Sequence, residues 1–345
     1  MVFINAISYY LPEETLSNND IIKDYKKYGG NDKTITSEGL YLQCGVKKRH
    51  VCPLDDTAKN LGNLAAENLF KEWNIDRKQI DYIIFVSDAL EYKGPTTACI
   101  MQKDLSLNNE IGAIDILHGC TGWIYGISIA KALITSKLGA NILLITADVP
   151  TKVIHPIDAE LRAIFSDGAA ATLLSAEKIN SGINSKINNF VFGTDGSGEK
   201  NLWVERSATR KPADIKWLES YKDLPTKLVG GRLNMNSSKI FMFALRKVPK
   251  LINTILKKHQ LGKEDIDFFI LHQANGTMLD FLRRRMKIPV EKFIISIENT
   301  GNTVSSSIPI ATKKLNEKKT FTKGNTILVA GFGIGYSWGG TILKI

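Results

Sequence analysis

An internal repeat constrains the fold of this chain more than any other feature of its sequence. Residues 77–84 combine charged side chains with an apolar end, and residues 263–270 repeat that pattern 186 positions later. Residues 141–146 are similarly repeated at 325–330, a shift of 184 positions. Two repeats with nearly the same shift indicate a duplicated structural unit, so we expect two halves with the same order of elements.

The repeated segments also predict the type of fold. Each copy of the first repeat follows a helical stretch, at 58–73 and at 240–259, and leads into an apolar strand. The order helix, strand, helix, strand in both halves predicts an α/β fold with mostly parallel sheets covered by helices, because parallel strands need crossover connections. We place the halves at residues 1–180 and 181–345, and we interpret the polar stretch 193–231 as a connection that caps the functional site.

A cysteine lies at a strand-to-helix turn of the first half. The apolar strand breaks at Gly119 and Cys120, and the apolar residues that follow have helical spacing. Free N–H groups at the start of a helix favour the thiolate form of such a cysteine. Asn302 lies at the corresponding turn of the second half, and His272 ends an apolar strand; ligands collect at such strand ends. Cys, His and Asn far apart in sequence are typical of an enzyme with a cysteine nucleophile, the alternative being a buried, inert cysteine.

Composition narrows the classes of protein that remain. The 345-residue chain has no run of 18 apolar residues, and its first residues lack the pattern of a secretory signal, so we expect neither a membrane span nor secretion. Four cysteines without metal-site spacing or disulfide density favour a cytoplasmic protein without a metal. The net charge of +10 indicates either solubility in a lysine-rich proteome or, more specifically, an acidic partner or a phosphate-bearing substrate. Nucleic acid is not expected, because no basic run is interleaved with aromatic residues.

Six segments of the sequence point to a known family. They are residues 45–50, 115–126, 165–170, 272–275, 301–303 and 331–339. In this order and spacing, which extends over nearly the whole chain, they resemble β-ketoacyl-acyl-carrier-protein synthase III, a family of the thiolase superfamily. The resemblance implies a thiolase-like αβαβα five-layered fold, internally duplicated, and a tight homodimer.

The resemblance also implies a reaction. It is the decarboxylative Claisen condensation of an acyl thioester with a malonyl thioester, in fatty-acid or specialised (secondary-metabolite or polyketide) biosynthesis. Cys120 would carry the acyl group, and the backbone N–H groups of Cys120 and Ile334 would form its oxyanion hole. His272 and Asn302 would donate hydrogen bonds to the enolate that remains after CO₂ is lost. The substrates are thioesters of CoA or of the phosphopantetheine of acyl carrier protein, so no separate cofactor is expected.

The surroundings of the site are assigned by the same resemblance. The expected acyl pocket is lined by Gly94, Ile164, Phe241 and Gly333. Gly94 stands where housekeeping members of the family place a bulky Phe that reaches into the partner subunit, so we expect more room there. The expected docking site for the acidic carrier protein consists of Arg283, Arg284 and Arg285.

Four positions depart from the family pattern for binding CoA. Gly39 and Gln43 replace a Trp and an Arg that clamp the adenine. Ala159 replaces a further nucleotide-binding Arg, and Ser238 replaces an Asn that bonds the pantetheine arm. A cation–π contact contributes about 0.5–2 kcal/mol, so these losses weaken binding of the nucleotide. We therefore expect a carrier-bound or otherwise non-standard primer to be preferred over a short acyl-CoA.

Other functions remain open from the sequence. A non-decarboxylating acyltransferase of the same fold would move the acyl group to an alcohol or amine, although the His272/Asn302 pair argues against it. An enzyme like 3-hydroxy-3-methylglutaryl-CoA synthase would need a carboxylate base, for which Asp88 and Glu91 lie in the right region. His118 is interpreted as a packing or pocket-lining residue rather than a base. A non-enzymatic subunit would normally have lost at least one of the three reactive residues.

Overall fold

The computed structural model describes residues 1–210, 219, 232–318 and 320–345. The strands are β1 (Phe3–Tyr10), β2 (Thr15–Ser17), β3 (Lys48–His50), β4 (Tyr82–Ser87), β5 (Gly112–Leu117), β6 (Asn141–Asp148), β7 (Gly168–Ser175), β8 (Ser185–Ile187), β9 (Val191–Thr194), β10 (Leu202–Val204), β11 (Leu233–Met235), β12 (Phe268–Leu271), β13 (Thr326–Gly333) and β14 (Ser337–Lys344). The α-helices are α1 (Asn18–Lys27), α2 (Ser37–Cys44), α3 (Ala58–Glu72), α4 (Thr97–Asp104), α5 (Gly122–Thr135), α6 (Ala159–Ile164), α7 (Ser237–His259), α8 (Gly276–Arg285) and α9 (Ser307–Glu317). Most of the predicted cap at 193–231 lies outside the described residues.

Among the described residues, ten strands join into one mixed sheet with two recognisable halves. The first half runs β1-β7-β6-β4-β5, the second runs β12-β13-β14 with β9 paired to β14, and short β8 links β14 to β1. Only β4 with β5, β4 with β6 and β12 with β13 are parallel, while the other pairs of this sheet are antiparallel. The prediction of mostly parallel sheets is therefore wrong. The second half shows why: only residues 334–336 separate β13 from β14, too few for a crossover, so this pair forms a hairpin.

Helices cover both faces of the first half. Alternate residues of a strand face opposite sides of a sheet. In β4, Ile83 and Phe85 lie in one apolar cluster with α3 and α4. The residues between them, Ile84 and Val86, lie in a second cluster with α5. The continuous apolar run of β4 is thus explained by burial on both faces.

The second half repeats this arrangement. In β13, Leu328 and Ala330 face the cluster that includes α7 and α8. Ile327 and Val329 face the same central cluster as β4, to which α5 and α9 contribute. The layers are therefore α3/α4, sheet, α5/α9, sheet and α7/α8. This confirms the expected thiolase-like αβαβα fold class.

The structure also locates the two sequence repeats. Residues 77–84 and 263–270 enter β4 and β12, and residues 141–146 and 325–330 enter β6 and β13. In each half the central helix, α5 or α9, lies between these two strands in chain order. Cys120 and Asn302 lie before α5 and α9, the corresponding central helices of the two halves. Each half of the duplication therefore contributes one of these two residues.

Local capping explains where the outer helices begin. Thr57 accepts the N–H of Asn60 and Asn60 bonds back to Thr57, a capping box at the start of α3. Asn236 caps α7 by accepting the N–H of Lys239. Among the described residues no helix combines the length and the apolar character needed to cross a bilayer.

Candidate active site

Cys120 lies in the turn between β5 and α5, pressed against the end of β13. The side chain is buried. A Cβ placed on Gly333 would lie 2.5 Å from the Cβ and 2.7 Å from the Sγ of Cys120, so only glycine fits there. The backbone N–H groups of Ile334 and of Cys120 itself act on the sulfur. Two backbone N–H groups thus lie close enough to the sulfur of Cys120 to act on its charge.

The protonation state of Cys120 differs from the sequence-based expectation. Burial raises the pKa of the thiol to about 12; the Ile334 N–H opposes this, and the carboxyl groups of Asp88 and Asp148 add to it. The expectation that the helix start favours the thiolate is therefore wrong for the resting protein. Loss of solvation outweighs the partial positive charge of the N–H groups.

His272 follows β12 and is buried. Its Nδ1 is 2.6 Å from the Oγ of Ser307, and that Oγ also accepts the N–H of Gln273 at 3.2 Å. An Oγ that already accepts one hydrogen bond has its own hydrogen to donate to Nδ1, so we assign the second hydrogen of the imidazole to Nε2. Burial lowers the pKa of His272 to about 3, so the ring is neutral. It therefore presents a hydrogen-bond donor and no charge.

Asn302 is held from both its backbone and its side chain. Its N–H donates to the carbonyl oxygen of Ile164 at 2.9 Å, and its carbonyl oxygen accepts from Ser166 at 3.0 Å. Its Oδ1 accepts the N–H of Val304 at 2.9 Å, while Nδ2 donates to the carbonyl oxygen of Ala274 at 3.2 Å. With Oδ1 engaged, the amide turns its NH₂ group toward the His272 segment.

These contacts bring the three candidate residues into one site. Phe332 links two of them, because its ring lies 5.7 Å from that of His272 and the next residue, Gly333, touches Cys120. Asn302 joins through Ala274, two residues from His272. Ser307, which holds His272, was not anticipated from the sequence. Its place in the run of three serines, 305–307, was the available signal.

A second unanticipated group lies beneath the turn. Asp148, at the end of β6, accepts the N–H of Asp88 at 2.9 Å and the N–H of Ser305 at 3.0 Å. The hydroxyl of Ser305 also donates to it. Asp148 therefore ties the end of β4 to the segment that follows Asn302. In the sequence, the position of Asp148 directly after an apolar run could have marked it as a candidate site residue.

The candidate pocket residues are only partly gathered here. Ile164 is buried in the same apolar cluster as Cys120. Phe241 is half-buried on α7, with its ring 5.8 Å from that of Phe281. Gly94 is exposed, with nothing within 4 Å of an added Cβ, so the described chain does not bring it to Cys120. Its assignment to a pocket shared between subunits stays a prediction.

The basic residues of α8 differ in their availability. Arg283 donates through Nε and Nη2 to Asp280 at 2.9 and 2.8 Å and through Nη1 to the carbonyl oxygen of Ile288. Its hydrogen bonds are therefore used within α8 and the turn that follows it. Arg284 also pairs with Asp280, although 73% of its side chain is exposed. Arg285 is exposed. Only Arg284 and Arg285 present charge outward from this triplet.

The positions expected to bind CoA are distributed over three elements. Gly39 and Gln43 are exposed on α2, and Ser238 is exposed at the start of α7. Ala159 is buried in α6. Arg162, one turn further along α6, is paired with Asp24 at 2.9 Å.

Comparison with protein families gives two matches in this chain. Residues 114–196 match the family model described as 3-oxoacyl-[acyl-carrier-protein (ACP)] synthase III. Residues 256–345 match the model for the C terminal part of the same enzyme. The first match includes Cys120, and the second includes His272 and Asn302.

Individual relatives extend over almost the whole chain. A β-ketoacyl-[acyl-carrier-protein] synthase III from Clostridium tetani is 32% identical, with 99% of this chain and 98% of the relative aligned. The enzyme of that name from Caldanaerobacter subterraneus is 31% identical over 97% of this chain and 95% of its own. A crystal structure of a 3-oxoacyl-(acyl-carrier-protein) synthase III superposes with a TM-score of 0.89 at 35% identity, over 100% of this chain and 99% of the other. The synthase III structure from Aquifex aeolicus gives a TM-score of 0.84 at 26% identity, with 100% of both chains covered. The chain belongs to the 3-oxoacyl-[acyl-carrier-protein] synthase III family.

Proposed function

We propose that this chain is a β-ketoacyl-ACP synthase III-type acyltransferase. It joins an acyl thioester to a malonyl thioester with loss of CO₂, in fatty-acid or specialised biosynthesis. The single observation that carries the proposal is the chemistry of the site: a buried cysteine between two N–H donors, together with two neutral hydrogen-bond donors, His272 and Asn302. Such a site stabilises negative charge on oxygen twice, once for each half of the reaction.

Acyl loading uses the first set of donors. The sulfur of Cys120 attacks the thioester carbonyl, and the resulting oxyanion accepts hydrogen bonds from the N–H groups of Cys120 and Ile334. One such donor accelerates acyl transfer by about 10²–10³-fold. The carrier thiol leaves, and Cys120 retains the acyl group.

Decarboxylation uses the second set. Loss of CO₂ from the malonyl thioester leaves an enolate, whose oxygen accepts hydrogen bonds from Nε2 of His272 and from Nδ2 of Asn302. One hydrogen of the Asn302 amide is donated to Ala274, and we assign the other to the enolate. A neutral donor is suited to this step, because it stabilises the enolate oxygen without holding the malonyl carboxylate in place. The enolate carbon then attacks acyl-Cys120.

A pre-steady-state experiment tests the proposed function. The protein is first acylated and the adduct mass is measured, and malonyl carrier protein is then added. The expected result is one acyl group on Cys120, followed by CO₂ and a 3-oxoacyl product in equal amounts, with neither step in Cys120→Ala. Transfer of the acyl group to an alcohol or amine without CO₂ release would contradict the proposal and favour the non-decarboxylating alternative.

We further propose that acyl carrier protein docks beside α8. Arg284 and Arg285 supply positive charge there, and the exposed ring of Phe281 and the exposed thioether of Met242 supply apolar contact. The C-terminal end of α2 adjoins this face, because the Thr277 hydroxyl donates to the carbonyl oxygen of Leu42 at 2.9 Å. An acidic carrier with an apolar contact site fits this combination.

The docking proposal is tested by comparing a carrier substrate with a small one. The double variant Arg284→Glu/Arg285→Glu is expected to lose at least tenfold in kcat/KM with malonyl carrier protein. Its activity with malonyl-N-acetylcysteamine, which has no carrier, should stay unchanged. Lys257→Glu, an exposed charge reversal on α7, is the control. An equal loss with both substrates would contradict the docking site.

A further inference from the structure

Val304, two residues after Asn302, has an unusual backbone conformation. Its φ is +51°, in the left-handed region that β-branched residues rarely adopt, and its side chain is buried. The side chain packs beside the Cys120 turn, because its Cγ1 lies 3.4 Å from a Cβ placed on Gly119. A strained conformation of this kind persists only where the surrounding structure holds it. The contacts of the neighbouring residues identify what holds Val304.

The N–H of Val304, in this conformation, orients the side chain of Asn302. It donates to Oδ1 of Asn302 at 2.9 Å. At the other end of the amide, Nδ2 donates to the carbonyl oxygen of Ala274 at 3.2 Å. One fixed donor and one fixed acceptor together determine which end of the amide is oxygen and which is NH₂. Without the Val304 N–H, Asn302 would lose one of the two contacts that keep its NH₂ group turned toward the His272 segment.

Asp148 holds the residue that follows Val304. Its Oδ2 accepts the N–H of Ser305 at 3.0 Å, and the hydroxyl of Ser305 donates to the same oxygen. Its Oδ1 accepts the N–H of Asp88 at 2.9 Å and the hydroxyl of Ser87 at 3.3 Å. Four donors on two oxygens fix this carboxyl group, which is fully buried at the end of β6. Ser305 is thus tied to β6 through both its backbone and its side chain.

Val304 therefore lies between two fixed neighbours. The backbone of Asn302 is hydrogen-bonded at both its N–H and its carbonyl oxygen, and Ser305 is held by Asp148. We propose that Asp148 is a positioning residue for decarboxylation. By fixing Ser305 it keeps Val304 in the left-handed conformation, and the N–H of Val304 then directs the amide of Asn302 toward the enolate. This inference rests on the proposed decarboxylation and adds a residue that acts through Asn302 without touching the substrate.

The proposed role of Asp148 concerns only one half of the reaction. Acyl loading uses the N–H groups of Cys120 and Ile334, and Asn302 takes no part in it. Negative charge on Asp148 raises the pKa of the Cys120 thiol, so removing that charge favours the thiolate and does not slow loading. Replacement of Asp148 should therefore slow CO₂ release and leave loading at the parent rate or above it. A general disturbance of the site would slow both steps.

The test compares acyl-Cys120 formation from S-acetyl-N-acetylcysteamine with CO₂ release from malonyl carrier protein. Asp148→Ala removes both acceptor oxygens. Loss of an oxyanion donor costs about 10²–10³ in rate, and Asn302 is misdirected but still present, so CO₂ release should fall at least tenfold while loading is not slowed. Ser305→Ala removes only the hydroxyl bond to Asp148 and should lower CO₂ release about threefold, as expected for one hydrogen bond. Because this variant keeps the carboxyl group, it also serves if Asp148→Ala does not fold.

A change at Val304 distinguishes positioning from a general loss of stability. Glycine adopts the left-handed region readily, whereas alanine does so only at a cost in free energy. Val304→Gly and Val304→Ala both remove the buried branched side chain, so they form a matched pair. In the Asp148→Ala background, Val304→Gly should release CO₂ about tenfold faster than Val304→Ala, the factor that corresponds to this cost. With Asp148 present, the two variants should differ much less.

Three results would overturn the role of Asp148. One is CO₂ release at the parent rate in Ser305→Ala or in folded Asp148→Ala. Another is an equal loss of loading and of CO₂ release in these variants, which would indicate a general disturbance. The third is equal CO₂ release by Val304→Gly and Val304→Ala in the Asp148→Ala background. A parent protein that loads Cys120 but releases no CO₂ would instead contradict the proposed function itself, and the role of Asp148 with it.

Discussion

At Cys120, the structure sets two opposing effects against each other. The N–H groups of Cys120 and Ile334 favour a negative charge at the sulfur, whereas burial and two carboxyl groups oppose it. Burial has the larger effect, so the thiol is protonated in the resting protein. In the proposed reaction the same N–H groups stabilise the oxyanion, which forms on the substrate and not on the sulfur. The turn is thus better suited to the transition state than to a resting thiolate.

We expect alkylation of Cys120 by iodoacetamide to accelerate with pH without reaching a plateau below about pH 9. With the thiol pKa raised to about 12, the thiolate fraction rises about tenfold for each pH unit below that value. The rate is measured by peptide mass spectrometry in a Cys99→Ser background, since Cys99 is the exposed cysteine. A plateau near neutral pH would contradict the raised pKa.

Sequence alone predicted the three candidate residues that the structure brings together, but not the side chains that hold them in place. Cys120, His272 and Asn302 were predicted from their motifs and their places at strand ends. Ser307 and Asp148 act through side-chain contacts between segments far apart in the chain, 35 residues in the case of His272 and Ser307. No local pattern records such contacts. The thiolate expectation failed for the same reason, because burial is a property of the packed structure.

At the level of elements, the end of β13 positions two residues, Gly333 and Ile334, next to Cys120. Gly333 packs directly on Cys120 and precedes Ile334, which supplies the second N–H donor. The hairpin to β14 follows at once. The proposed oxyanion hole therefore depends on the position of the β13 end, where Gly333 contacts Cys120 and the N–H of Ile334 follows.

We expect Gly333→Ala to reduce acyl loading by at least 10²-fold while the protein remains folded. The new Cβ would lie 2.5 and 2.7 Å from Cys120 atoms, so the strand end has to move and the Ile334 N–H moves with it. One lost oxyanion donor costs about 10²–10³ in rate. Loading and melting temperature are measured together. Gly196→Ala, where nothing lies within 4 Å of an added Cβ, is the matched control, and equal loading by both variants would contradict the role of Gly333.

The elements themselves were predicted better than their pairing. The predicted helix, strand, helix, strand order is found in both halves, because the spacing of apolar residues and the internal repeats can be read from the sequence. The direction of pairing was not visible in apolar strands buried on both faces, which look the same whether parallel or antiparallel. The connection of residues 334–336 did contain the information, since so short a link requires a hairpin.

At the level of the whole molecule, the sheet ends on an apolar strand. β5 is the last strand of the first half and is paired only with β4 among the described residues. Its residues are only partly buried, and Leu117 is 70% exposed. An apolar strand with a free edge is a surface that pairs readily with another strand. The homodimer expected from the family resemblance would cover this edge, and it remains a prediction.

We expect the parent protein to be a dimer at micromolar concentration and Leu117→Glu to shift it toward monomer. A charge at this position would be buried against an apolar partner strand, which is unfavourable without a counter-charge. The mass is measured by light scattering over a dilution series. Leu138→Glu is the control, because Leu138 is similarly exposed, at 67%, but lies beyond the end of α5. A monomeric parent, or equal shifts in both variants, would contradict a β5 interface.

The central claim is that His272 and Asn302 stabilise the enolate and are not needed to load the acyl group. The most direct measurement compares acyl-Cys120 formation with CO₂ release from malonyl carrier protein in His272→Ala and Asn302→Ala. Both variants should still form acyl-Cys120, while CO₂ release falls by at least 10²-fold, because each loses a donor to the developing oxyanion. CO₂ release near the parent rate in both variants would contradict the account.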